Sequence, residues 1–369
     1  MANRPKVVHL VVAANIGGAE HFVANLASQP DRTNADHCIA LMTANAALKR
    51  LYRDKALNVR DRGYSREPSF ANFRRIFGAE DLAWLSEILI EENATVIHSH
   101  TYGSHVLSAR AARAAGVPCV RTEHGFEHYR DPTRAWYRRW ALLHTDKIIA
   151  VCEHVGDFVK ALESRVAPRV SVILNGVDTS RFNLSPRFEG AALTVAWTAR
   201  LDPEKQADLA IEAVARVPDV RLNIAGDGRE RRKLEALVRR LGVEDRVRFL
   251  GYQDDVRPVI AASHVVINCR RQEGLPLALL EAASMGRPTI AFKDGGGVSE
   301  IIEHEKTGLL ADDCTAEGFA ALILRASKDP EMLNALGTNA RANVEKKFSL
   351  NAMCEQYGDV YRPFQGRIV

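Results

Sequence analysis

Short β-branched apolar runs alternate along this chain with longer amphipathic ones, and the series breaks once and restarts. The first set is "KVVHLVVA", "HCIALM", "ATVIHSH", "PCVRTEH", "KIIAVC" and "VSVILN". The second is "LTVAWTA", "VRLNIAG", "RVRFLG", "VVINC" and "PTIAF". Between them lie helical patterns such as "EDLAWLSEILIEE", "HVLSARAARAAG" and "ERRKLEALVRRLG". Near-continuous apolar strands separated by helices form parallel sheets covered on both faces. The expected class is α/β, with two doubly wound Rossmann-like domains. The length of 369 residues agrees, because single cores stop growing near roughly 250–300 residues. The break "NLSPRFEGAA", residues 183–192, is polar, carries Pro and Gly, and reads as the linker. Expected domains are therefore 1–183 and 184–350, followed by a terminal helix in 351–369. That tail holds Tyr357, Tyr361 and Phe364, and an aromatic-rich last helix is expected to dock.

Composition narrows the class. Apolar residues make up 46% and charged residues 26%, as in ordinary globular proteins. No window offers the ~18 uninterrupted apolar residues of a membrane span. The opening "MANRPKVVHL" reads as the start of a strand rather than a secretory signal. Six cysteines lie far apart with no CxxC pair, which points to reduced thiols in a cytoplasmic protein and away from zinc. Residues 1–180 hold 23 Lys+Arg against 19 Asp+Glu, and 181–369 hold 27 against 27. A surplus so small and local does not suit nucleic acid.

Open parallel sheets bind ligands beyond the carboxyl ends of their strands, so the strand-end loops are the places to look. "VVAANIGGAEHF" puts Gly17 and Gly18 where a strand gives way to a helix. Such a loop presents free N–H groups, and glycine permits φ > 0 and close approach by a ligand. The spacing is not GxGxxG, so no dinucleotide is specifically indicated, and a tight turn fits as well. "TARLDPEKQADL" repeats the arrangement in the second half, with Arg200 and Lys205 five residues apart. Two cations there suit a diphosphate; a solvated loop with acidic caps is the plain alternative.

"RQEGLPLALLEAASMGRPTIAF" is the most specific stretch. Glu273 and Gly274 follow a strand, Pro276 suits a first helical turn, and Glu281 comes eight residues after Glu273. Carboxylates accept hydrogen bonds from vicinal hydroxyls, which points to a sugar or ribose, while amides of 274–277, including that of Leu275, would face phosphate. The glycines of 295–297 again suggest close backbone approach, and "GDG" at 226 reads mainly as a packing turn. In the first half, His98, His100 and His124 stand at successive strand ends. His124, just before Gly125, is the candidate that can give or accept a hydrogen bond to a ligand. Packing is the plainer reading of His98 and His100, and a metal site built from the three is not expected.

Taken in order, these pieces resemble the family 4 glycosyltransferases. The resemblance rests on the glycine pair with Glu20, "TEHG", "ILNGVDTSRF", "ARLDPEK", "GDG", "EGLPLALLE", "GRPTIA" and "GGGVSEII", and spans nearly the whole chain. It implies the GT-B fold: two Rossmann-like domains facing across a cleft, the first on the acceptor side and the second binding the donor, with the C-terminal helix crossing back to the first. It implies transfer of a sugar from a nucleotide sugar with retention, without a metal or other cofactor. By resemblance, Arg200 and Lys205 bind the donor diphosphate, Glu273 the sugar hydroxyls and Glu281 the ribose. Amides at Gly274, Leu275, Gly17 and Gly18 meet phosphate oxygens or line the acceptor side. His124 lies beneath the sugar, and Asn175 shapes the cleft. Three departures stand out: Ala199 and Gln206 where many relatives have Gly, and "NCRRQEG" where Pro-Ser is common. Arg270 and Arg271 are thus expected to alter donor or acceptor preference.

UDP is the expected nucleotide of the donor, and the acceptor a glycan, a lipid-linked sugar or a small molecule in bacterial surface polysaccharide synthesis. A nucleotide-sugar 2-epimerase of the same fold, a transferase with a small soluble acceptor, and a non-catalytic sugar-nucleotide-binding protein are the alternatives. Residues 49–75 carry nine Lys/Arg against three Asp/Glu, and "RDPTRAWYRRWALLH" interleaves Arg with Trp136, Tyr137 and Trp140. Both suit an anionic membrane surface on the inner face of the cytoplasmic membrane, or else a solvated face and a core-facing Trp pair.

Overall fold

A computed structural model describes residues 4–65, 77–126, 129, 135–186 and 192–366. The chain divides into two compact units, Met1–Asn175 with Asn351–Val369, and Gly176–Leu350.

The first unit is built on β1 (Lys6–Val12), β2 (Asp36–Met42), β3 (Asn58–Asp61), β4 (Val96–Ser99), β5 (Cys119–Glu123), β6 (Lys147–Ala150) and β7 (Val170–Val172). Their order is β3-β2-β1-β4-β5-β6-β7, and every neighbouring pair is parallel. The second unit carries β8 (Thr194–Thr198), β9 (Arg221–Ala225), β10 (Val247–Gly251), β11 (Val265–Asn268), β12 (Thr289–Phe292) and β13 (Gly308–Ala311). Their order is β10-β9-β8-β11-β12-β13, again all parallel. Both orders reverse direction beside the first strand of the unit, between β1 and β4 and between β8 and β11. That reversal is the doubly wound topology, and it opens the ligand-binding crevice of such sheets.

The apolar runs explain central strands such as β11 and β12, which are buried almost throughout, as strands covered on both faces must be. β4 and β5 are buried along their whole length while carrying His98, Arg121 and Glu123. Two strands lay outside the expected set, and both are at sheet edges. β3 reads "NVRD" and lacks apolar character because an edge strand is half solvated. β13 reads "GLLA" and is too short to stand out from its surroundings. The expected helices form at Glu80–Glu91, Tyr102–Ala115 and Arg231–Leu241. The last two end at Gly116 and Gly242, whose φ angles of 69° and 66° are the left-handed C-cap that glycine adopts without a Cβ penalty.

The terminal helix, Leu350–Tyr361, docks on the first sheet. Tyr361 Oη lies 2.7 Å from His98 Nδ1 on β4, and Tyr357 Oη lies 2.9 Å from Thr122 Oγ1 on β5. A Cβ at Gly358 would sit 2.7 Å from the Thr33 carbonyl oxygen, so the helix backbone abuts the turn before β2. Of the linker stretch, 187–191 lies outside the described residues. Its earlier part is fastened to the second unit by the Ser185 N–H bond to the Met285 carbonyl and by Arg287, which donates to the Pro186 carbonyl at 2.6 Å.

Candidate active site

β8 and β11 are hydrogen-bonded neighbours at the reversal of the second sheet, and the loops leaving their carboxyl ends meet. The loop after β8 carries Arg200 and, in a 3₁₀ turn over Pro203–Lys205, Lys205. It is held from the side by "GDG". The Leu201 N–H donates to the Asp227 carbonyl at 3.0 Å, and the Glu230 N–H returns to the Leu201 carbonyl at 3.0 Å. A Cβ at Gly226 would lie 1.9 Å from the Ala199 carbonyl oxygen, and one at Gly228 2.5 Å from that of Leu201. The packing turn expected there therefore has a definite partner, the segment that carries Arg200. The Arg200 guanidinium pairs with Asp202 at 3.2 Å and reaches Glu204 at 3.9 Å, and Arg229 contacts the same two carboxylates.

The loop after β11 delivers Glu273 to this place. Lys205 Nζ donates to Glu273 Oε1 at 2.6 Å, and Arg270 Nη1 donates to Oε2 at 2.7 Å. The carboxylate is 10% exposed, Lys205 20% and Arg270 13%. Burial pushes the Glu273 carboxyl up, but the two cations and their hydrogen bonds outweigh it and hold the group below its ordinary range. The glycines of 295–297 fix its backbone. The Glu273 N–H donates to the Gly295 carbonyl at 2.9 Å, and the Gly297 N–H returns to the Glu273 carbonyl at 3.3 Å. A Cβ at Gly295 would meet the Phe292 carbonyl oxygen at 2.9 Å. The triple glycine thus permits backbone to pack against backbone beneath Glu273.

Gly274 and Leu275 are buried as the chain turns at Pro276, the N-cap of helix Leu277–Ser284. Glu281 lies on that helix in a different electrostatic setting. Burial raises its carboxyl to about 7; Arg181 pulls it down and Asp255 pushes it up. Arg181 and Asp255 gave no spacing signal in the sequence. Gln206 adopts a left-handed backbone, φ +57°. Its side-chain oxygen accepts from the Arg271 N–H at 2.9 Å, tying the β8 and β11 loops together.

The other expected site residues belong to the first unit. Gly17 caps helix Gly18–Ala27 in an extended conformation, φ −149°, so it does not need the positive φ anticipated for it. Its N–H donates to Glu20 Oε2 at 2.8 Å, and a Cβ would meet that oxygen at 3.3 Å. The small residue makes room for a carboxylate at the helix N-terminus, where the dipole favours an anion. His124 follows β5, with its ring 4.9 Å edge-on from Phe22 and 6.0 Å from that of His100. Asn175, 4% exposed, is the last residue of the first unit before the chain leaves it.

Histidines form a buried group behind these loops. His9 Nδ1 is 2.9 Å from His100 Nε2, His9 Nε2 is 2.8 Å from His37 Nδ1, and His98 Nε2 is 2.8 Å from Thr122 Oγ1. Burial, then mutual repulsion, holds His9, His98 and His100 well below the usual histidine range, so they are neutral. Among the described residues, His9, His98 and His100 are a set whose nitrogens converge within 4.8 Å, the spacing a metal ion needs. Those of His9 and His98 already serve hydrogen bonds to His37, His100, Thr122 and Tyr361, so an ion would have to displace them. The packing role expected for His98 and His100 accounts for these contacts.

The basic stretches divide. Lys49 pairs with Asp61, Arg60 with Glu91 and Glu92, and Arg62 with Asp81, so three of these cations are committed within the chain. Residues 66–75 and 130–134 lie outside the described residues. Trp140 packs against the core around Tyr137 and Ala141, whereas Trp136 is 61% exposed and stacks on exposed Phe77 at 5.9 Å. All six cysteines are free and buried. No helix among the described residues is long and apolar enough to cross a membrane.

Comparison with known proteins matches this architecture. Residues 16–181 fit the Glycosyltransferase Family 4 profile, and residues 186–343 that of Glycosyl transferases group 1. A UDP-Gal:alpha-D-GlcNAc-diphosphoundecaprenol alpha-1,3-galactosyltransferase of Escherichia coli is 28% identical over 79% of this chain and 81% of its own. An N-acetyl-alpha-D-glucosaminyl L-malate synthase of Bacillus anthracis is 26% identical over 75% of this chain and 77% of its own. An exopolysaccharide phosphotransferase of Streptomyces coelicolor is 30% identical over 60% of this chain, which spans only 24% of that protein. Among solved structures, Anabaena HepE in complex with UDP and glucose shares the fold with a TM-score of 0.84, at 23% identity over 97% of this chain and 100% of that one. Sucrose-phosphate synthase of Thermosynechococcus elongatus does so with 0.85, at 20% identity over 98% and 99%. The two profiles adjoin and between them take in every strand of both sheets but β1, so the chain belongs to the family 4, group 1 glycosyltransferases and has the GT-B fold.

Proposed function

We propose that this glycosyltransferase moves a sugar from a UDP-sugar to a glycan or lipid-linked acceptor in bacterial surface polysaccharide synthesis, with retention and without a metal ion in the chemistry. The observation that carries the reading is the junction of Lys205, Glu273 and Arg270 at the reversal of the second sheet. Parallel sheets bind ligands there, and the residue types suit a sugar diphosphate. The names of relatives lend support: the Escherichia coli protein is named for a UDP-sugar donor and a diphospholipid acceptor, and the Anabaena structure holds UDP and glucose.

Breaking a glycosyl–phosphate bond puts negative charge on the diphosphate and positive charge on the anomeric carbon. Catalysis needs fixed donors where the anion grows. Lys205 and Arg200 supply them, and the loop amides of Gly274 and Leu275 add dipoles of the same sense. Lys205 then exchanges its carboxylate partner for phosphate, and Glu273 accepts from sugar hydroxyls. Glu281 accepts from the ribose diol. The family resemblance alone assigns the first unit's His124 to the reacting centre, Gly17 and Gly18 to the acceptor side and Asn175 to the border of the site. The acceptor hydroxyl attacks from the face the leaving group vacates, and a phosphate oxygen takes its proton.

The test is a thermal-shift screen of UDP-, GDP- and ADP-sugars, followed by hydrolysis assays on the hits. Stabilisation by a UDP-sugar and its slow hydrolysis, undiminished in EDTA, are expected. Indifference to all three, or activity lost to EDTA and restored by magnesium, overturns the reading. The exposed Phe77–Trp136 stack favours a second element, peripheral binding to an anionic cytoplasmic membrane surface. Sedimentation with phosphatidylglycerol vesicles should then weaken with salt; equal binding to neutral vesicles counts against it.

A further inference from the structure

Tyr361 Oη of the terminal helix stands 2.7 Å from His98 Nδ1, and that ring is one of an array of four. His37, His9 and His98 lie on β2, β1 and β4, which are neighbours in the first sheet, and His100 follows β4. Neighbouring ring centroids are 3.9 to 5.3 Å apart. Hydrogen bonds thread three of the rings. Thr33 Oγ1 is 2.7 Å from His37 Nε2, His37 Nδ1 is 2.8 Å from His9 Nε2, and His9 Nδ1 is 2.9 Å from His100 Nε2. Each nitrogen–nitrogen link holds one proton, so three neutral rings place two protons in the two links and one at an end of the chain. A fourth proton fits only as an N–H on His100 Nδ1, a buried nitrogen without a hydrogen-bond partner, and a fifth breaks a link. The array is therefore built for neutral imidazoles.

Its surroundings agree. Facing it are Thr33, Phe22 of helix Gly18–Ala27, Arg121 and Thr122 of β5, His124, and Tyr357 and Tyr361 of the terminal helix with Cys354 beside them. Arg121 gives its guanidinium to Glu123 in two bonds of 2.9 Å, and burial keeps Cys354 and both tyrosines neutral. The charges that act on His9, His98 and His100 are other imidazoles and Arg121, and all of them oppose a further proton. The terminal helix covers this array. Tyr361 packs against His37 at 6.1 Å and His98 at 5.8 Å, and Tyr357 against His98 at 5.8 Å. A charged tie from the same helix, Arg32 to Glu355 at 3.2 Å, is exposed and contributes little. We propose that the terminal helix is an acid-sensitive latch: it closes on the first sheet over neutral histidines and is released as protons enter the array. The chain crosses between its two units at Asn175–Gly176 and at Leu350–Asn351, so the latch anchors the second crossing. This holds whatever nucleotide the second unit binds.

Burial holds His98 well below the usual histidine range and brings half-buried His37 down to about 4. Both regain the ordinary value near about 6.5 once the helix lifts. The released state therefore binds more protons below about pH 6.5, and closure weakens as pH falls through that window. The experiment is hydrogen–deuterium exchange of the whole chain at about pH 7.5 and about pH 5.5, corrected for the intrinsic pH dependence of amide exchange and read by mass spectrometry. Two histidines at about tenfold each predict that amides of the terminal helix open about 100-fold more at the lower pH. Amides of helix Glu80–Glu91, in the same unit, should change by less than about threefold. His37→Gln and His98→Gln should each cut the effect on the terminal helix to about tenfold, the share of the histidine left. Thermal unfolding checks that each variant folds, and the wild-type contrast between the two helices decides should one fail to. Equal protection of the terminal helix at both pH values overturns the proposal. A loss equal in both helices also overturns it and leaves ordinary acid unfolding. So does an undiminished effect in both variants.

Discussion

Lys205 Nζ lies 2.6 Å from Glu273 Oε1, across 68 residues of sequence. The contact joins the loops that leave β8 and β11, neighbouring strands at the reversal of the second sheet. The topology brings the two residues together, and their opposite charges hold the loops in register.

Lys205→Ala removes the cation assigned to the departing diphosphate. Glu273 keeps Arg270 as a partner, so the fold should survive with a thermal midpoint close to that of the wild type. Donor turnover should fall by about 10²–10³ in kcat/KM, the usual cost of one preorganised charge-stabilising donor. Near-normal turnover would break the assignment.

If Glu281 binds the ribose as proposed, nucleotide affinity is expected to depend on pH. Its carboxyl is raised to about 7 by burial, so in the free protein the acid form prevails below that pH. A ribose diol that donates two hydrogen bonds favours the carboxylate, so binding releases a proton. Affinity for UDP should therefore weaken as pH falls from 8 through 7 to about 6. Glu281→Gln should flatten the curve, as read by titration calorimetry in buffers of different ionisation enthalpy. An unchanged slope in the variant would assign the pH dependence elsewhere.

Gly226→Ala tests the support under Arg200. The added Cβ would sit 1.9 Å from the Ala199 carbonyl oxygen, a backbone atom that cannot turn aside. The loop after β8 must shift, at a cost of about 1–3 kcal/mol by analogy with overpacked cores. Both the midpoint of thermal unfolding and donor turnover should drop, whereas Gly125→Ala, with nothing within 4 Å of its Cβ, should leave the midpoint unchanged.

Gln206 sets two effects against each other. Its φ of +57° costs a non-glycine residue roughly 1 kcal/mol, and its side chain accepts from the Arg271 N–H at 2.9 Å. Gln206→Gly loses the bond but relieves the backbone, so stability in urea should stay within about 1 kcal/mol of wild type. Gln206→Ala loses the bond and keeps the strain, and should be less stable than Gln206→Gly by about 1 kcal/mol. Equal stability of the two variants would remove the left-handed backbone from the account.

Central strands were legible in the sequence because burial on both faces favours apolar runs, as in β11 and β12. The edge strands β3 and β13 were not, since half-solvated or very short segments carry no such run. Glu273 and Glu281 stood out by their spacing within a recognisable stretch. Lys205 and Arg270 were noticed too, but not their pairing with Glu273. Arg270 sits three residues before Glu273 in an irregular loop, where an i, i+3 spacing carries no geometric meaning. The Gln206 bond to Arg271 joins residues 65 apart. The glycines of 295–297 pointed to close backbone approach, and it is the Glu273 backbone that approaches. A sequence marks where backbone must come close without saying what comes.

The most direct measurement is a crystal structure of the protein with UDP in EDTA-containing buffer. The account predicts the β-phosphate within about 3 Å of the Lys205 ammonium, the usual hydrogen-bond distance, with Glu281 at the ribose hydroxyls and Glu273 released from Lys205. UDP bound away from the β8 and β11 loops, or at them with Lys205 still closed on Glu273 and no contact to phosphate, would contradict it.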